Sequence, residues 1–157
     1  MAGAWWTKVG ILGEKAINDT ATLPTVSADL FLITGGPILV TSLIGEIAAV
    51  MSANATSCKF QAVPTAGTAT TRDLCTAEDI QGFAAGDLVG LSGVNTDALI
   101  PTAVRGSSGS IEGMTMPVVL PVGALHLDIA APGQTTGSII WTLRYVPLSP
   151  DSRVVSA

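Results

Sequence analysis

Charge is what this chain has least of. Only 12% of its 157 residues are Asp, Glu, Lys or Arg, about half the share of an average soluble domain. Its surface must therefore be built from Thr, Ser, Gly and Ala, and much of it is expected to face other protein. The seven Lys and Arg are scattered, the formal net charge is −5 and the pI is about 4.5. That leaves no basic stripe able to neutralise a run of phosphates, so nucleic acid is not an expected partner. Long apolar runs are also missing, although 48% of the residues are apolar. A membrane-crossing helix needs about 20 of them in succession. The best stretch, residues 37–51, is shorter and holds Glu46, so no membrane is expected. The opening MAGAWWTKVGILGEK has one Lys before its short apolar stretch and another after it, with two glycines inside and no convincing cleavage site. A secretory signal is not expected, and the chain reads as one made in the cytoplasm.

Chemistry has little material. The one histidine, His126, falls on the polar side of an alternating segment, where a lone His is expected to be a satisfied surface residue rather than a base. GLSG at residues 90–93 lacks the spacing of a nucleophile elbow, and neither phosphate-binding glycine loop occurs. The acidic cluster Glu78, Asp79 and Asp87 lacks the spacing of a calcium loop and reads as a solvated turn. Neither Cys58 nor Cys75 has a CxxC partner for zinc. The two thiols read as reduced core residues, with a bond across a hairpin as the alternative. Aromatic residues make up 4% of the chain, and two of the seven are Trp5 and Trp6, so a sugar-binding platform of exposed rings is disfavoured. No catalytic residue, metal or cofactor is expected.

What the chain does have is strand pattern. Leu125, Leu127 and Ile129 alternate with His126 and Asp128, and Ile139, Trp141, Leu143 and Tyr145 alternate with Ile140, Thr142, Arg144 and Val146. Strict period two predicts two strands, each with one face inward. PVG before the first and APGQTTG between them suggest a hairpin with a wide loop. Residues 29–34 and 38–43 read as strands joined by a tight turn at Gly35, Gly36 and Pro37, and residues 44–52 as a continuation of the second. Further strands are predicted at 56–63, around Leu74 and Cys75, and at 88–91, 98–104 and 114–120. Many short strands with Gly and Pro punctuation predict an all-β domain, an antiparallel sandwich or barrel. The length fits one domain. Residues 26–157 form that domain in this reading, ending in a short extended tail, SPDSRVVSA. Residues 1–25 form an extended N-terminal arm without clear period, in which Trp5 and Trp6 are the candidate partner-binding residues.

Three stretches carry a resemblance: TGGPILV at residues 34–40, KFQAVPTAGT at 59–68 and GSIIWTLRYVPL at 137–148. Together with the intervening DIQGFAAGDLVGLSG, the region from about 28 to 148 resembles the capsid decoration, or cement, proteins of tailed bacteriophages. The closing strand is the most specific part of the match. The resemblance implies a virion component on the capsid exterior, bound to the major capsid protein and associated with itself as a homotrimer. Its implied work is to stabilise the shell by bridging coat subunits, with no catalytic role. A minor tail or head-fibre protein, or a receptor- or glycan-binding module, are the alternatives.

Overall fold

The computed structural model describes residues 13–20, 27–101, 114–130 and 136–157, and every regular element among them is a strand. The twelve strands are β1 (Glu14–Thr20), β2 (Ala28–Thr34), β3 (Ile38–Ala49), β4 (Ser57–Pro64), β5 (Arg72–Asp73), β6 (Glu78–Asp79), β7 (Leu88–Gly90), β8 (Ile100–Pro101), β9 (Val118–Leu120), β10 (Gly123–Ala130), β11 (Ser138–Pro147) and β12 (Arg153–Ser156). They form two antiparallel six-stranded sheets. The first runs β1-β11-β3-β7-β8, with β9 also on β3; the second runs β12-β2-β10-β4-β5, with β6 also on β4. The expected antiparallel β-sandwich is what the chain forms.

The predicted inward faces are the buried ones. Leu125, Leu127, Trp141, Leu143 and Tyr145 are all at most 3% exposed, and Ile129 packs partly buried against the same core. Where two neighbours in sequence are both buried, a bulge explains it. The register of β2 against β10 shifts between Leu125 and His126, so that Leu30 and Phe31 both enter the core. The sheets meet at Phe60 and Trp141, whose rings pack edge to face with centroids 5.0 Å apart and planes at 87°. The Trp141 indole fits because its cross-strand partner on β3 is Gly45. A Cβ there would stand 2.4 Å from the ring and 2.9 Å from the Ile139 methyl.

One expectation is corrected by the topology. β10 and β11 were expected to pair as a hairpin, but β10 pairs with β2 and β4 while β11 pairs with β1 and β3. Alternation fixes which face of a strand looks inward and leaves open whether its neighbour in sequence lies beside it or across the core. Here the long strands switch sheets at every connection: β1 to β2, β2 to β3, β3 to β4, β9 to β10, β10 to β11 and β11 to β12 each pass from one sheet to the other. The Gly35–Pro37 turn is therefore a crossover. Gly35 holds φ +76°, and a Cβ on it would meet the Asp151 carbonyl of the neighbouring crossover. Ser152 Oγ donates to Pro37 O at 2.9 Å and the Leu148 amide donates to the same carbonyl at 3.1 Å, which ties the two crossovers together.

The ends of the domain also lie elsewhere than expected. Residues 14–20, read as part of a polar arm, form β1 and pair with β11 over all seven residues. The tail read as having little to bury forms β12 on β2, with Val154 and Ser152 buried. These two edge strands lie in different sheets and close one side of the sandwich through side chains. Tyr145 Oη donates to Glu14 Oε2 at 2.8 Å and accepts the Val154 amide at 3.2 Å. Asn18, 7% exposed, donates from Nδ2 to Leu30 O at 2.7 Å and to Ser156 Oγ at 2.8 Å. A buried amide and a phenol supply what a backbone ladder does elsewhere. β1 was not visible as a strand because its most buried position, Asn18, is polar, and β12 because it buries a single residue, Val154.

Two substitutions test this arrangement. Gly45→Ala is expected to lower stability by about 2 kcal/mol, because the Trp141 ring is fully buried and cannot move aside. Tyr145→Phe, which keeps the ring and loses both bonds of the seam, is expected to cost about 1–2 kcal/mol and to speed amide exchange in β12 ahead of the other strands. Urea titration and hydrogen exchange measure both, and a neutral Gly45→Ala would show that the indole does not rest on that glycine.

Candidate partner-binding surface

His126 stands on the outer face of the second sheet, with Nδ1 2.6 Å from Asp29 Oδ1 across β10 and β2. An imidazole oriented by a carboxylate is two-thirds of a hydrolytic triad. Among the described residues, however, no hydroxyl or thiol is hydrogen-bonded to its other nitrogen. On the same face Lys59 Nζ lies 2.9 Å from Asp73 Oδ2 and 3.6 Å from Asp128 Oδ2, and Gln61 Nε2 donates to Asp73 Oδ1 at 2.7 Å. The bond from Gln61, and then Lys59, hold the Asp73 carboxyl below its usual range, and the bond to Asp73 raises the Lys59 ammonium. These are exposed cross-strand pairs, each worth little to stability.

The acidic cluster holds turns. Asp79 Oδ1 accepts the Thr56 and Gln81 amides at 2.9 and 3.0 Å, and Asp87, 5% exposed, accepts the Ala84 amide at 2.8 Å. Asp87 is thus buried where a solvated residue was expected, because its carboxylate substitutes for a backbone acceptor within its own turn. Among the described residues no three His, Cys, Asp or Glu side chains come together as a metal site would need, and no helix is long and apolar enough to cross a membrane. The two cysteines are free and buried. Cys75 Sγ accepts the Phe60 amide at 3.3 Å. Burial, reinforced by Cys75, Glu78 and Asp79, pushes the Cys58 thiol up to about 12, and burial also raises Cys75. Both are therefore poor nucleophiles.

What remains is surface. The outer face of the second sheet carries the polar and charged pairs just described, with Leu32 and Val155 exposed beside them. The outer face of the first sheet carries apolar side chains among the charges of Lys15, Asp19, Arg144 and Glu46. On β11 the outward positions include Ile140 and Val146, and on β3 Leu39 and Ile44, all half-buried. Val119 of β9, paired with Leu39, is 57% exposed. Ile17 of β1, and Leu148 just beyond β11, are each nearly half exposed. Large side chains of this kind on one sheet face mark a surface suited to protein contact. The sequence reading missed this face, although the signal was present: β11 and β3 are apolar at several positions of both parities, which a strand with one wet face has no reason to be. Trp5 and Trp6, the residues proposed from the sequence as anchors, lie outside the described residues.

No family model matches the chain, and neither a curated protein nor a solved structure matches it.

The thiols give a pH prediction. An unfolded Cys ionises near 9 and the folded Cys58 near 12, so between those values only the unfolded chain sheds this proton. Stability contributed by the neutral thiol is complete below pH 9 and falls as pH rises across that window. Tyr145 and Lys59, both raised, act in the same direction. From pH 9 to 10.5 the Cys58 share is about 2 kcal/mol. Urea midpoints at these two pH values are expected to differ less for Cys58→Ala than for the parent. An equal fall in both proteins would rule Cys58 out as the source.

Proposed function

We propose that this chain is a structural virion protein that binds the outer surface of a phage capsid and stabilises the shell by bridging major capsid protein subunits. The observation that carries the proposal is the set of apolar side chains on the outer face of the first sheet, Ile17, Leu39, Ile44, Val119, Ile140 and Val146. The resemblance of residues 28–148 to decoration proteins supplies the identity of the partner. Preferential binding to the assembled shell over free coat protein is the source of stabilisation, since a ligand stabilises whichever state it binds better. No reaction is assigned to the chain.

Trp5 and Trp6 are proposed as anchors of an arm leading from the sandwich to the shell. β1 sets where that arm must end. A deletion reaching residue 20 would strip an integral strand from β11, so the informative truncation removes residues 2–12 only. The truncated protein is expected to keep its thermal midpoint and to bind emptied or expanded capsids at least tenfold more weakly, the loss of two aromatic anchors. Co-sedimentation with the capsids measures it. Unchanged binding would remove the arm from the interface, and failure of the full chain to bind any capsid would overturn the proposed function.

A further inference from the structure

A sandwich of this kind has strand edges to hide, since each presents unpaired N–H and C=O groups. Most edges here are blunted. β5, β6 and β8 are two residues long and β9 three. β12 is four residues long, and its Val154 amide is already bound by Tyr145. β1 is the exception. It is seven residues long, is hydrogen-bonded to β11 on one side, and has no strand on the other among the described residues.

Its outward side chains are Lys15, Ile17 and Asp19, all exposed. Among the described residues neither Lys15 nor Asp19 has an ion-pair partner. The charge continues inward in two rows. Lys15 lies beside Arg144 of β11, a row of two cations. Asp19 lies beside Ile140, which lies beside Glu46 of β3, a row with an anion at each end. The basic row and the acidic row lie at equal distances along the strand from Ile17, one on each side.

That arrangement is complementary to itself under one operation. We propose that two copies of the chain join antiparallel through β1, about a two-fold axis at Ile17, so that the first sheets of both copies become one continuous sheet. In this register Ile17 meets Ile17 of the second copy, and Lys15 of each copy meets Asp19 of the other. The basic row of one copy then lies end to end with the acidic row of the other, and the pairing of like charges, Lys15 beside Arg144, acquires a carboxylate. A shift to either adjacent register that keeps the same faces outward sets Lys15 or Asp19 against Ile17, so charge selects the register. An edge that is charged to discourage pairing with strangers is thereby matched to its own copy. The product is a dimer, in place of the trimer implied by the resemblance, and it rests on the β1 edge alone and not on the virion reading.

Sedimentation velocity of the full chain at low salt tests it, since it reads size without any capsid. A reversible dimer is expected, weakened by added salt because the pairs are exposed. Lys15→Asp and Asp19→Lys should each raise the dissociation constant by about tenfold or more. The double variant carrying both should return it to near the parent value, because the pairs are then reformed with their signs exchanged. A carbodiimide should also join Lys15 to Asp19 in the dimer, a link that four residues of extended strand, about 13 Å, forbid within one chain. A monomer at several hundred micromolar, a trimer, single variants that dimerise like the parent, or a double variant weaker than either single would each overturn the proposal.

Discussion

The inward stripe of β11 is the interaction on which the rest of the structure depends. Ile139, Trp141, Leu143 and Tyr145 are buried at successive alternate positions, and each end of the stripe does a different job. Trp141 reaches across the core to the edge of Phe60 and so fixes the spacing of the two sheets. Tyr145 leaves its ring in the core and spends its hydroxyl on the seam, donating to Glu14 and accepting from Val154. β11 thereby organises β3 and β1 by backbone pairing, β4 by packing, and β12 by a single phenol. A chain with few charges and few aromatic rings concentrates its constraints in the large side chains it has.

That economy explains where the sequence was legible. Leu125 to Ile129 and Ile139 to Tyr145 announce themselves because every second residue is apolar and large, and the structure buries them as the pattern requires. β3 was legible as one long strand despite the helix-like GEIAAVM, because its neighbours on both sides are β-rich. Pairing was not legible. Nothing in period two tells a strand whether its successor lies beside it or across the core, and here the long strands cross. β1 and β12 were invisible for a different reason. In β1 the inward Glu14 and Asn18 are polar and become comprehensible only as partners of Tyr145, Leu30 and Ser156, and β12 is four residues long with a single buried position, Val154.

The candidate surface follows from the same physics. Once one face of each sheet has been used for the core, the outward faces are free to differ, and they do. Polar pairs such as His126 with Asp29 and Lys59 with Asp73 keep the second sheet wet. Ile17, Leu39, Val119 and Val146 set apolar side chains among the charges of the first sheet. The residues singled out for chemistry instead have structural work: Asp79 and Asp87 cap turns, and both thiols are sealed in the core. Trp5 and Trp6, the anchors read from the sequence, precede β1, which belongs to that same first sheet.

Hydroxyl-radical footprinting of the protein free and bound to capsids tests the central claim most directly, because it reports side chains face by face. The account predicts that Leu39, Val119, Val146 and Leu148 lose reactivity on binding while His126, Leu32 and Val155, on the outer face of the other sheet, keep theirs. Protection of His126, Leu32 and Val155 with an unchanged first sheet would contradict it.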